Sequence, residues 1–361
     1  MNLFLDAHED LAYNMAAFQR DYTRPAAVTR QLEAGSGIPE YNGDTLLGFP
    51  EYQQARVAII FSTLFATPSR RASGSYPDTQ VYGTIAEANQ LYFSQLSLYH
   101  QLCDQHPDKF RLLRTQRELG AHLSAWQQSA DPQPVGLVPL MEGAEGLRSP
   151  DELERWWEAG LRIIGPAWAG NRFCGGTREP GPLTAEGRKL LDAMSEYGFI
   201  LDLSHMDAQA AFESLERFSG AIIASHSNAA ALVRGARFNR LLSDDLLRAM
   251  LQRGVVVGVV PLNGFLSWNW ASEGGRDAIS LDLVADQIDY ICQMAGDAAH
   301  AGIGTDFDGG FGVQAVPREL DTIADLPKIN PLLAARGYSP ADIAAIDSGN
   351  FVRVLESGLP E

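Results

Sequence analysis

His8 and Asp10 stand two residues apart at the end of the first apolar run of the chain, LDAHED. In an extended strand, residues i and i+2 project to the same side, so the pair points together, with Asp6 alongside. A neutral imidazole beside a carboxylate is half of a divalent-cation shell, although a lone pair of this kind is also met as a packed, hydrogen-bonded histidine. The rest of the chain decides between them. His205 closes the run FILDLSH, His226 follows in AIIASHSN, Glu142 closes VGLVPLMEG, and Asp306 lies in AGIGTDFDG. Three imidazoles and three carboxylates at the ends of apolar runs are hard to explain as packing. Brought to one place without cations, the carboxylates would repel one another and be costly to bury.

The elements that must position them are eight apolar runs: 3–8, 56–66, 135–143, 161–170, 199–205, 221–228, 255–264 and 301–309. They are near-continuous, rich in β-branched residues, and bounded by Gly, Pro or polar residues, as strands buried on both faces of a parallel sheet are. Helical patterns lie between them. TAEGRKLLDAMSEYG (184–198) is one, with Gly187 where a capping box would place an acid. SDDLLRAMLQRG (243–254) begins on an N-cap serine with two acids in its first turn and ends on Gly. ADQIDYICQMAGDA (285–298) is a third. Eight strands with intervening helices predict a (β/α)8 TIM barrel. A doubly wound open sheet is the alternative, but no GxGxxG follows a strand to support a dinucleotide site. Residues 1–361 are expected to form one domain, with a helical insertion around 67–134 that holds helices near 84–106 and 116–129. In a barrel, sites are built at the C-terminal ends of the strands. His8, Glu142, His205, His226 and Asp306 all fall at that pole, whereas His100, His106, His122 and His300 read as structural.

The 361 residues carry a net charge of −17, with 28 Lys and Arg against 45 Asp and Glu. That balance speaks against nucleic acid and against an anionic membrane surface as partners. Cys103, Cys174 and Cys292 are far apart and odd in number, which is no disulfide framework. Cys174 reads as an ordinary loop cysteine. No signal-peptide pattern and no run long enough to cross a bilayer is present, so a cytoplasmic location is expected.

The motifs DAHED, LMEGAEGL, LDLSH, IASHSN and GIGTDFDG resemble those of the renal, or membrane, dipeptidase family (peptidase family M19), binuclear zinc peptidases of the amidohydrolase superfamily. EPGPLTAEGRKLL, LLSDDLL and GNFVRVLE extend the resemblance over nearly the whole chain, in order. It implies two Zn2+ ions, one on His8 and Asp10, the other on His205 and His226, with Glu142 bridging. It makes Asp306 the acid that handles the proton and Arg240 the group that holds a substrate carboxylate, with Arg234 and Arg237 as nearby alternatives. Where the family often carries a histidine after the fourth strand, this chain has Trp168, and a tyrosine near the end of the seventh strand is matched by Phe265. Both changes remove polar contacts from the substrate pocket. The expected activity is metal-dependent hydrolysis of a dipeptide or dipeptide-like small molecule. Another small amide, such as an N-acyl amino acid or a lactam, and a catalytically silent metal-binding barrel are the alternatives. The sequence leaves the oligomeric state open, a homodimer included.

Overall fold

The computed structural model describes residues 2–74, 78–233, 235–236 and 238–361. Eight parallel strands form a closed ring: β1 (Phe4–Glu9), β2 (Val57–Leu64), β3 (Val135–Glu142), β4 (Ile163–Gly165), β5 (Ile200–Asp202), β6 (Ile222–Ala224), β7 (Val256–Val259) and β8 (Ala301–Ile303). Each pairs with the next, and β8 returns to β1 through Asp6 opposite Ile303. The open-sheet alternative is thereby excluded. Every residue of these strands is buried, the reason their sequences run apolar without alternation.

Between β2 and β3 lie two helices, Ile85–Gln105 and Gln116–Gln128, joined by a short strand, Phe110–Leu112, that pairs with the start of β3. Thr84 and Glu87 cap the first helix reciprocally, and Thr115 caps the second. Thr184 and Ser243 are the N-caps of Ala185–Tyr197 and Asp244–Gln252. The third expected helix runs Asp282–Ala295, three residues earlier than its sequence pattern. A hydrophobic cluster from the strands, including Leu5, Ile59, Phe61, Ile200 and Val256, packs on Phe351, Val354 and Leu355 of the helix Asn350–Gly358.

Backbone packs closely where β7 and the residue after β8 pass the loop after β6. A side chain added to Gly258 or Gly304 would put its Cβ 1.9 or 1.8 Å from the Ser225 carbonyl oxygen. Only glycine lets β7 and the end of β8 close on the loop after β6. Among the described residues, no helix is long and apolar enough to cross a membrane.

Candidate metal centre

The strands deliver the polar residues in two ways. His8 lies within β1 and Glu142 is the last residue of β3. His205, His226 and Asp306 were expected to end strands, but they lie beyond β5, β6 and β8, on the first residues of the loops. His205 and Asp306 have φ of +66° and +57°, the left-handed region that costs a side-chain-bearing residue energy. Both left-handed residues place their side chains in the cluster, His205 against Glu142 and Asp306 near His8. Asp10 also lies past its strand, at φ −94° and ψ 45°, so it does not share the extended geometry predicted for His8 and Asp10. Asp6 is elsewhere: its carboxylate accepts from the Thr305 amide at 2.7 Å and the Thr305 hydroxyl at 2.5 Å.

The expected residues nevertheless converge. Glu142 Oε1 is 2.8 Å from His205 Nε2, 3.3 Å from His226 Nε2 and 3.7 Å from His8 Nε2. Asp306 Oδ1 is 4.0 Å from His8 Nε2. Two trios offer ligand atoms that all lie within 4.8 Å of one another: His8, Asp10 and Glu142, and Glu142, His205 and His226. Glu142 belongs to both. A third trio, His8, Asp202 and His226, meets the same distance on the far side of the rings. There the Ser225 hydroxyl intervenes, 2.5 Å from Asp202 Oδ2, 2.8 Å from His226 Nδ1 and 3.2 Å from His8 Nδ1.

Ser225 has one proton, and the carboxylate of Asp202 accepts it. The hydroxyl oxygen must then accept from both Nδ1 atoms, which places the imidazole protons on Nδ1 and the lone pairs on Nε2. Those lone pairs face Glu142. His226 Nε2 also lies 2.9 Å from His205 Nε2, and His8 Nε2 and Asp10 Oδ1 are buried without a hydrogen-bond partner. His8 and His226 thus turn lone pairs towards the carboxylate oxygens of Glu142 and Asp10. The donor set of imidazole nitrogens and carboxylate oxygens fits divalent cations.

The electrostatics agree. Burial holds His8 down to about 3, and burial also holds His205 and His226 well below the usual imidazole range, with Arg240 adding to each. All three are neutral ligands in waiting. Burial pushes Asp10 up to about 7, and burial with mutual repulsion raises Glu142 and Asp306 well above the carboxylate range. Positive charge in their midst would reverse those shifts.

Arg240 is buried, donating through Nη2 to the His226 carbonyl at 2.5 Å and through Nη1 to Ser227 Oγ at 3.0 Å. It lines, with Trp168, Glu142, His205 and Asp306, a cavity of about 610 Å³ over the strand ends. Trp168 stands against the site, its ring 6.2 Å from that of His205 and 5.0 Å from Phe65. Arg234 and Arg237 lie outside the described residues. Three of the histidines read as structural bond to backbone carbonyls: His122 meets that of Ala58, His100 that of Ala159 and His300 that of Val255. Cys174 is buried in the short strand Cys174–Gly176, and burial raises its thiol further from reactivity.

Residues the sequence did not single out complete the centre. Asp202 and Ser225 set the histidines, Thr177 Oγ1 meets His205 Nδ1 at 2.9 Å, and Gly309 leaves room for two carboxylates. Asp308 ties the β8 loop down, accepting from Arg20 at 2.8 Å, Tyr22 at 2.8 Å, Thr45 at 2.6 Å and the Leu46 amide at 2.9 Å.

A closed barrel with this cluster at its C-terminal pole has the makings of a metal-dependent hydrolase. Residues 2–358 match the model of the membrane dipeptidase family, peptidase family M19, and the chain belongs to that family. Dipeptidase aclJ of Aspergillus oryzae is 26% identical over 361 residues, covering 97% of this chain and 76% of the relative. A Klebsiella pneumoniae protein from the pqqA 5′ region, itself uncharacterized, is 30% identical over 278 residues, 74% of this chain and 96% of the relative. A metallopeptidase from Rhodobacter sphaeroides, solved with a phosphinate mimic of the dipeptide L-Ala-D-Ala, superposes with a TM-score of 0.78 at 21% identity, covering 99% of this chain and 100% of that one. At that identity the likeness speaks for the fold.

Proposed function

We propose that the protein hydrolyses the amide bond of dipeptides with two zinc ions, one held by His8, Asp10 and Glu142 and the other by Glu142, His205 and His226. The observation that carries this reading is the single oxygen, Glu142 Oε1, shared by three imidazole nitrogens. When bound, such cations polarise a carbonyl and bring a water molecule within reach of ionisation near neutral pH. The chain supplies the rest. Asp306, beside His8, takes the proton from the attacking water and returns it to the leaving amine. Arg240 pairs with the free carboxylate and sets the scissile bond over the cluster. Trp168 offers one N–H and a broad apolar face where a histidine would offer a charged donor. The name of the Aspergillus relative supports a dipeptide over other amides.

Metal analysis of protein purified without chelator, run beside hydrolysis of a mixed dipeptide library and a set of N-acyl amino acids, tests the proposal. About two equivalents of zinc are expected, with hydrolysis of dipeptides lost on chelation and restored by zinc. No metal after reconstitution would overturn the metal centre, and cleavage confined to N-acyl amino acids would overturn the substrate.

A further inference from the structure

The cavity over the cluster has two aromatic walls. The first starts at the histidines: Trp168 lies 6.2 Å from the His205 ring, Phe65 is 5.0 Å from Trp168, and Tyr13 is 5.9 Å from Phe65. The second starts at the arginine. The Arg240 guanidinium lies 5.2 Å from the Phe265 ring, Phe238 is 6.0 Å from Phe265, and Trp268 is 4.9 Å from Phe238. All six rings line the cavity. Phe65, Trp168, Phe238 and Phe265 are only half-buried, and Trp268 is 41% exposed at the outer end of the second wall. Ring surface left open in this number does nothing for the protein's own core. It becomes useful when another apolar group covers it.

Which group covers the second wall follows from Arg240. On the dipeptidase reading above, which this inference rests on, Arg240 holds the free carboxylate. The Cα bearing that carboxylate also bears the side chain of the C-terminal residue. Phe265 is the ring of this wall nearest Arg240, and Phe238 and Trp268 continue the wall outward from it. We propose that Phe265, Phe238 and Trp268 form a subsite for a bulky aromatic side chain on the C-terminal residue of the substrate. The Trp168–Phe65–Tyr13 wall serves the other residue, so the two side chains are read separately.

The test is a crossed set of kcat/KM values on the zinc-loaded enzyme with Gly-Phe, Gly-Ala, Phe-Gly and Ala-Gly. The native enzyme should favour Gly-Phe over Gly-Ala by about tenfold or more. Trp268→Ala, at a partly exposed position and with folding checked by circular dichroism, should cut that ratio severalfold and leave the Phe-Gly to Ala-Gly ratio where it was. Phe65→Ala should do the reverse. An equal effect of Trp268→Ala on both ratios, or no preference for Gly-Phe in the native enzyme, would overturn the subsite while leaving dipeptide hydrolysis standing. If no dipeptide is cleaved at all, the dipeptidase reading falls and the subsite falls with it.

Discussion

The Ser225 hydroxyl donates its only proton to Asp202 across 2.5 Å. Through that bond a residue that touches neither substrate nor cation decides the tautomer of two histidines at once, His8 and His226. Ser225→Ala removes the acceptor for both Nδ1 protons. Metal affinity should fall by about 10–100-fold while the barrel still folds, as competition with a chelator beside circular dichroism would show. Native affinity in the variant would mean that the histidines are oriented by packing alone.

Glu142 and Asp306 should fail differently. Glu142→Ala removes the oxygen that all three imidazoles approach, so zinc content and activity should drop together. Asp306→Asn should keep most of the zinc and lose turnover by a factor of about 10²–10⁴, the usual worth of a general acid–base group. Normal turnover in Asp306→Asn would place the proton transfer elsewhere.

Gly309 is the tight point of the β8 loop. A Cβ there would lie 2.2 Å from Asp306 Oδ1 and 2.8 Å from Asp10 Oδ2. The same Cβ would also meet the Asp306 carbonyl oxygen at 2.8 Å, so Gly309→Ala should displace both carboxylates, shift the loop and lower kcat steeply. An active Gly309→Ala enzyme would show that the loop yields without moving the acids.

Trp168 should set what the enzyme does with small substrates. An indole cannot act as a charged donor to a developing oxyanion, so Gly-Gly should turn over slowly in the native enzyme. Trp168→His should raise kcat on it, because such a donor acts in the transition state. Equal native rates on small polar and hydrophobic dipeptides would remove Trp168 from any role in specificity.

Asp347 predicts a pH dependence far from the site. It accepts from Asn2 at 2.8 Å and Asn330 at 2.9 Å, while its Oδ1 is buried without a partner. Burial raises its pKa from the ordinary 3.8 to about 6. The folded state thus binds the proton more tightly than the unfolded chain. This contribution to stability is full below about pH 4 and lost as pH rises through 6, a difference of about 3 kcal/mol. Asp347→Asn should flatten that part of the curve, measured by denaturant unfolding at about pH 4 and pH 8. An unchanged slope would mean that Asp347 ionises normally in the fold.

The barrel and the residues that cluster at its pole were legible because both leave a mark along the chain. Unbroken apolar runs reveal strands buried on both faces, and a histidine or acid at the end of such a run is conspicuous. The strand ends were less legible. The runs at 161–170 and 301–309 continue past β4 and β8 because the loop residues there are buried too, and periodicity does not separate a buried loop from a buried strand. Left-handed backbone at His205 and Asp306 has no sequence signal, since neither is glycine. Ser225 and Asp202 are common residue types, 23 positions apart, that meet only because β5 and β6 are neighbours. The wall of Phe238, Phe265 and Trp268 joins segments on either side of β7, so no local pattern announces it.

The pairing of β8 with β1 has a consequence for the order in which the molecule is made. The cluster draws on residues from His8 to Asp306, and these are adjacent only once the ring has shut. A partly folded chain with β8 undocked has fewer of the donors in place. Cations would therefore favour the shut ring over every earlier species, adding about 2.7 kcal/mol at a hundredfold excess over the dissociation constant. Joining strands this distant in sequence is slow, because the long loop must close before any contact rewards it. If the proposed centre is loaded, a bound metal would latch this least local pairing, so metal supply would bear on how much chain reaches the closed ring.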